Sequence, residues 1–422
     1  MKTKASYQNF WLVSLLLTAC AMTAGINMFK IPMILNDLAA GYGMDLKAAS
    51  WLMAVFTFTG IFCALPAGAV AQKVNPLRFM LAGVYLVACG SLAGAFAPGP
   101  AVLIAARALE GVGFCLVTVT GPLVLSRIIA PANRGRAMGL WGVWLCLGQV
   151  VSFSLTPVLY RSGGRPLVWL LYAALAALLA TVCLLTLRLP APAATAAGES
   201  AAASAAPVAG PAGGGAGSAP SRPGPIAGVL KSSNFWRLGC SYLIYNVLIT
   251  SVLTFGPAYL ESAGVSTARA AILTSMPMLL ALVSSPLFGW LMDRLQTKKP
   301  LLAFALLGLL GATLFFLPGA VPRWFGILLI GLLACGAPCI VLNLLPDTIL
   351  NPDGHGGAVG LIMTLQNTGM FLGSLSLSYL LVPAGGDWAA AALMLLPFSF
   401  LSLLGVLSLR LPGGKPPAGA AN

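Results

Sequence analysis

What most constrains this chain is a succession of apolar runs, each long enough to cross a bilayer. A spanning helix needs about 20 mostly apolar residues. By that measure the sequence predicts twelve spans, at residues 10–33, 48–71, 77–97, 100–128, 136–160 and 166–188, then 237–261, 267–292, 300–319, 323–348, 357–382 and 387–410. Charged residues make up only 8% of the chain, where a soluble domain carries about 25%. So little charge cannot coat a water-soluble fold of this length, so the bilayer is the solvent and an all-α membrane protein is expected. The formal charge of +14 would suggest nucleic acid in a soluble protein. Here the basic residues flank the apolar runs, which predicts a lipid bilayer and no nucleic-acid partner.

Charge also predicts orientation. With both termini cytoplasmic, sixteen of the 23 Lys and Arg fall on that side, while Lys30, Lys47, Arg107, Arg161, Arg165, Arg269 and Arg323 lie opposite or within helices. Cytoplasmic loops of membrane proteins carry this excess. The start, Met1 to Asn9, has Lys2 and Lys4 and leads into a run long enough to span, so the first helix is expected to stay uncleaved. Residues 189–230 are dominated by Ala, Gly, Pro and Ser, a composition that buries no core and predicts a flexible tether. The chain then divides into an N-terminal bundle (1–188), the linker (189–230) and a C-terminal bundle (231–422). All nine Cys sit in apolar stretches and His355 is the only histidine. Neither a disulfide framework, a metal site nor a cofactor is expected.

One turn occurs twice. Gly289, Asp293, Arg294, Lys298 and Lys299 punctuate the junction after the eighth span; Gly68, Gln72, Lys73 and Arg78 stand at matching positions after the second. Duplication of this kind marks transporters built from repeats. Through these residues the chain resembles the major facilitator superfamily of secondary transporters, whose hallmark turn is Gly-x-x-x-Asp-Arg/Lys followed by basic residues. The first copy is degenerate, with Gln72 in place of the Asp. Arg107-Ala108-Leu109-Glu110-Gly111 and Asn133-Arg134-Gly135-Arg136-Ala137 resemble two further signatures, whereas Gly148 and Pro157 stand without the Gly-Pro pattern of the family's antiporters. The runs around Phe29-Lys30-Ile31-Pro32 and Leu109 to Phe114 look most like the cyanate/nitroimidazole and nitrate-type branches. The resemblance implies two six-helix bundles rocking about a midplane cavity in a bacterial inner membrane. It also implies a gating latch at Asp293, Arg294 and Lys73.

Ionisable groups within the hydrocarbon region are costly and mark function. Lys30 sits in the outer part of the first span, between Phe29 and Ile31, and Arg107 and Glu110 lie one turn apart on the fourth. One reading is an anion site, with Lys30 and Arg107 holding the substrate and Glu110 taking a proton. The other is an interface-stabilising Arg107–Glu110 pair with Lys30 snorkelling outward. Tyr242, Tyr245 and Asn246 share a face of the seventh span. With Gln366, Asn367, Trp144 and Gln149 they make a candidate substrate-binding ring, or else hydrogen-bond between helices. The expected function is secondary transport of a small organic or inorganic anion, with H+ as a candidate partner, by a monomer. An exporter of amphipathic drugs or metabolites is the close rival, and a non-transporting sensor or assembly partner the distant one. An intramembrane enzyme would need a nucleophile, base or metal constellation that this sequence lacks.

Overall fold

The structure is a computed structural model that describes residues 10–129, 133–187, 226–295, 297–349 and 355–410. Among the described residues every regular element is helical. Most of the expected linker lies outside them; its last part, Ile226–Leu230, is a short helix.

Among the described residues, eleven helical stretches are long and apolar enough to cross a membrane, and one of them, Ala137–Thr186, has 50 residues. At about 1.5 Å per residue it is more than twice the length that a hydrocarbon core of about 30 Å needs. It breaks where Gly163 (φ −152°, ψ 19°) is followed by Gly164 (φ 63°, ψ −163°), the second a conformation open only to glycine. The fifth and sixth spans are therefore the arms of one hairpin, and twelve crossings result. Side chains start several spans. Asp45 accepts from the N–H of Ala48 (2.8 Å), Asn75 from Arg78 (3.1 Å) and Ser232 from Phe235 (3.2 Å), each satisfying a donor that the helix leaves orphaned.

Two spans are irregular. The first runs as Phe10–Phe29, turns at Lys30 and Ile31, passes through Pro32–Ile34 and resumes as Leu35–Tyr42. Pro32 has no N–H, so the carbonyl of Met28 loses its helical partner. The tenth runs as Ala320–Leu328, widens over Leu329–Leu333, tightens over Ala334–Gly336 and resumes as Ala337–Leu344.

Glycines bring helices close where the site is built. A Cβ on Gly90 of the third span (Pro76–Ala95) would stand 2.7 Å from Cγ of Glu110 in the fourth (Pro100–Ile128). Gly369 and Gly373 of the eleventh span (His355–Leu380) likewise lie against the seventh (Ser233–Ser262), so that small-residue pattern serves packing within the C-terminal half.

The halves meet where the second span (Leu46–Lys73) packs on the eleventh and the fifth on the eighth (Thr267–Leu295), and where Pro32–Ile34 lies against the seventh. Four contacts join them at the end remote from Phe10 and Leu407, here the far end. Asn36 Nδ2 donates to Glu261 Oε2 (3.5 Å), Arg161 Nη2 to Thr267 Oγ1 (2.7 Å), Ser50 and Ser378 share a hydrogen bond (2.9 Å), and Lys47 Nζ lies 5.2 Å from the Tyr379 ring.

Candidate functional site

The break in the first span builds the site. With Pro32 in place, the last carbonyls of Phe10–Phe29 need donors from elsewhere, and Arg107 brings them. Its Nη1 donates to the Asn27 carbonyl (2.7 Å) and its Nη2 to that of Met28 (3.2 Å). A guanidinium at a helix C-terminus also suits the negative end of the helix dipole. Arg107 Nε donates to Leu52 O (2.9 Å), Nη2 reaches Met53 Sδ (4.0 Å), and the guanidinium lies 4.4 Å from the Phe56 ring.

Glu110 joins this cation to a second. Its Oε2 accepts from Arg107 Nη1, and its Oε1 lies 2.6 Å from Lys30 Nζ. Lys30 also donates to Asn27 Oδ1 (2.9 Å) and Ser91 Oγ (3.0 Å), with the Trp169 ring 4.5 Å away. Ser91 in turn donates to Trp169 O (2.9 Å). All three charged side chains have no exposed surface.

A lysine ammonium has three N–H donors and a guanidinium five, and each of these finds an acceptor here. Two cations and one carboxylate leave the cluster at +1. Lys30 does not snorkel; it points into the N-terminal bundle. The anion-binding expectation meets a constraint: in this state Lys30 and Arg107 have no donor to spare, and their partners come from the first, second, third and fourth spans. Asn27, Ser91 and Trp169 were not singled out from the sequence. Their only signal there is a polar or aromatic residue within an apolar run.

The second candidate group is only partly gathered. Tyr242 and Tyr245 stack at 5.7 Å, Tyr242 Oη donates to Gln366 Oε1 (3.2 Å), and Asn246 Nδ2 donates to Tyr242 O (2.7 Å). Half-buried Asn367 lies beside Gly60 of the other half, whose Cβ would stand 2.9 Å from Asn367 Oδ1. Gln149 crosses the seam, Nε2 donating to Thr274 O (3.5 Å), while its buried Oε1 has no partner. Trp144 stands apart from these, fully buried against Phe114 and Trp141 in the N-terminal core. Of the near-end turn, Lys73 and Arg294 are exposed, and Arg294 lies 5.2 Å from the Trp290 ring. The Asp293 side chain lies outside the described residues. At the start of the ninth span, Lys298 pairs with Asp347 at 2.8 Å.

The family model described as Major Facilitator Superfamily matches residues 15–374. The chain belongs to the major facilitator superfamily. Relatives within the superfamily include the multidrug resistance protein Stp of Mycobacterium tuberculosis, 28% identical over 155 residues, or 35% of this chain and 29% of that one. The arabinose-proton symporter of Escherichia coli is 25% identical over 141 residues, 33% of this chain and 30% of the symporter. The matched stretch thus spans less than a third of the length of either relative. A solved bacterial homologue of the human lysosomal transporter Spinster superposes with a TM-score of 0.74 at 15% identity, covering 95% of this chain and 97% of that one. It supports the superfamily fold across nearly the whole length.

Proposed function

We propose that this chain is a secondary transporter that moves a small solute by alternating access, with Glu110 carrying a coupling proton. The observation behind this reading is the sealed Lys30–Glu110–Arg107 network at the break in the first span. Such a group is costly inside a membrane and persists where it serves transport. Broken helices in transporters line the solute path.

The positive balance of the network favours an anionic solute. Protonation of Glu110 removes the anionic acceptor from Lys30 Nζ and Arg107 Nη1, and an organic or inorganic anion can supply it again. Proton and anion then favour each other's binding, and the cluster stays at +1. Coupling of this kind is a reciprocal free energy. Gln149, Asn246, Gln366 and Asn367 form the polar wall that orients the rest of the solute at the seam. The positive-inside pattern supports an inner-membrane protein with both termini cytoplasmic, so the far end faces outward and is closed. Lys73, Asp293 and Arg294 then belong to the inner gate.

A second reading is an exporter of amphipathic solutes. Trp51, Phe58 and Phe371 meet along the seam, with Trp51 5.8 Å and Phe58 5.3 Å from the Phe371 ring. Such aromatic walls suit lipophilic ligands, and one relative bears a multidrug resistance name.

Purified protein in proteoliposomes with a trapped pH dye separates these readings. An imposed organic-anion gradient should drive proton movement in the parent chain. Glu110→Gln should retain anion exchange and lose the proton signal. Movement of lipophilic cations alone would reject the anion reading. A sensor would tolerate loss of Lys30, Arg107 and Glu110 together.

A further inference from the structure

Gln149 leaves one buried acceptor empty at the seam between the halves. Its Nε2 donates to Thr274 O of the eighth span at 3.5 Å, which fixes the other amide atom as oxygen, and that buried Oε1 has no partner. The side chain is 1% exposed, and a buried acceptor without a donor carries a desolvation cost that a solute can relieve. Gly148 packs on Gly25, and Ser152 donates to Ile26 O at 3.0 Å. Gln149 therefore stands level with the end of the first helix, where the charge network lies.

A phenol converges on the same place. One turn before Gln149 on the fifth span is Cys146; one turn after Thr274 on the eighth is Pro277, whose carbonyl accepts from Cys335 Sγ at 3.9 Å. The two spans run in opposite directions, since Arg161 reaches Thr267 at the far end. Cys146 and Cys335 thus share one level, a turn toward the near end from the Gln149–Thr274 contact. Tyr245 has Cys335, Tyr242 and Cys146 as its electrostatic neighbours, which puts its hydroxyl at that level. The Tyr242 hydroxyl is already engaged, donating to Gln366 Oε1 at 3.2 Å. None of the groups gathered here is a carboxylate or a basic side chain.

We infer that Gln149 and Tyr245 recognise a hydroxyl on the solute, and that the solute is a hydroxylated aromatic carboxylate. This deepens the anion-transport reading and rests on it: the carboxylate belongs to the charge network and the hydroxyl to this wall. A hydroxyl donates once and also accepts. Its O–H fills the empty acceptor on Gln149 while its oxygen takes the Tyr245 O–H. An ammonium has no acceptor and an ether no donor, so each leaves one of the two unmet. A second carboxylate would bring a charge to a wall without a cation. Aromatic carbon suits the remaining surface, since the Tyr242–Tyr245 stack lies 13° from parallel and flat rings and thiol sulfurs both favour a ring as neighbour.

Calorimetric titration of the purified full chain tests this with 3- and 4-hydroxybenzoate, their methoxy counterparts and benzoate. A site built around a hydroxyl rejects analogues that lack it, so the better hydroxybenzoate should bind at least about tenfold more tightly than benzoate or its own methoxy counterpart. Gln149→Leu should abolish that preference, chiefly by weakening the hydroxybenzoate, and Tyr245→Phe should reduce it several-fold. A second measurement leaves the wall intact: the hydroxybenzoate should slow alkylation of Cys146 by N-ethylmaleimide, mapped by mass spectrometry, more than benzoate does at the same concentration. Equal affinities in the parent chain, or a preference that survives Gln149→Leu, would overturn the assignment. If other organic anions drive proton movement while neither hydroxybenzoate binds or protects Cys146, the solute class falls and the transporter reading stands. If a hydroxybenzoate binds in this pattern but drives no proton movement, the class stands and the coupling role of Glu110 falls.

Discussion

Glu110 bridges both buried cations, with Oε1 2.6 Å from Lys30 Nζ and Oε2 accepting from Arg107 Nη1. Charge arithmetic then ranks the substitutions. Glu110→Gln leaves two cations buried without an anion, which costs about 3–5 kcal/mol. Lys30→Met leaves the neutral Arg107–Glu110 pair and gives up bonds to Asn27 and Ser91, each worth about 1 kcal/mol. The double variant returns to a single cation, so it should be more stable than the sum of the two losses by about 1–3 kcal/mol. Thermal or denaturant unfolding in detergent measures the cycle. Strict additivity would mean that Lys30 and Glu110 do not interact.

Gly90 is the contact that lets Glu110 stand where it does. A Cβ there would lie 2.7 Å from Glu110 Cγ and 2.8 Å from the Ala106 carbonyl, one partner being backbone that cannot swing aside. Gly90→Val should cost about 1–3 kcal/mol by overpacking and move the carboxylate away from Lys30. Gly99→Val is the matched control, since a Cβ at Gly99 meets nothing within 4 Å. Equal unfolding midpoints for the two variants would remove Gly90 from the account.

The number of spans was readable in the sequence because it follows from scarcity, and for the same reason the meeting of Lys30, Arg107 and Glu110 was one of two readings, the other having Lys30 snorkel outward. Long apolar runs have few uses other than crossing lipid, and the few charges inside them must find each other. The break in the first span at Pro32 was not read: the run around it is apolar throughout, and the span is expected unbroken over residues 10–33. Which face of a helix points where was not readable. In an almost wholly apolar span, residues on the core side and the lipid side look alike. Trp144 was therefore expected in the solute ring and lies in the N-terminal core instead. The saturation of Lys30 and Arg107 depends on carbonyls of Asn27, Met28 and Leu52, and a main-chain acceptor leaves no trace in residue types.

The hairpin joining the fifth and sixth spans depends on one backbone geometry. Gly164 sits at φ 63°, ψ −163°, which a Cβ disfavours by about 1–3 kcal/mol. Gly43 closes the first span at φ 60°, ψ 30°, a left-handed position that Asn tolerates. Gly164→Ala should therefore lower the unfolding midpoint by more than Gly43→Asn. If both are neutral, the kink is not needed to separate the two spans.

The tenth span is irregular for a different reason, and its support comes from neutral groups. Over residues 329–336 the helix widens and then tightens, which misaligns carbonyls from their usual donors. Two hydroxyls of the eighth span take them up: Ser284 Oγ donates to Leu332 O at 2.9 Å and Ser285 Oγ to Cys335 O at 3.3 Å. Polar contacts between membrane helices average about 0.6 kcal/mol, so Ser284→Ala and Ser285→Ala should each change overall stability little. Their effect should be local, because opening of a short segment draws on those bonds alone. Amide hydrogen exchange over 329–336 should speed up several-fold in the double variant while the first span keeps its protection. Gly331→Ala should act the other way round: its Cβ would stand 2.6 Å from Leu280 Cβ, so the eighth and tenth spans must part and global stability should fall by about 1–3 kcal/mol. Exchange that stays unchanged in the serine variants would show that the irregular turn holds itself, without help from the eighth span.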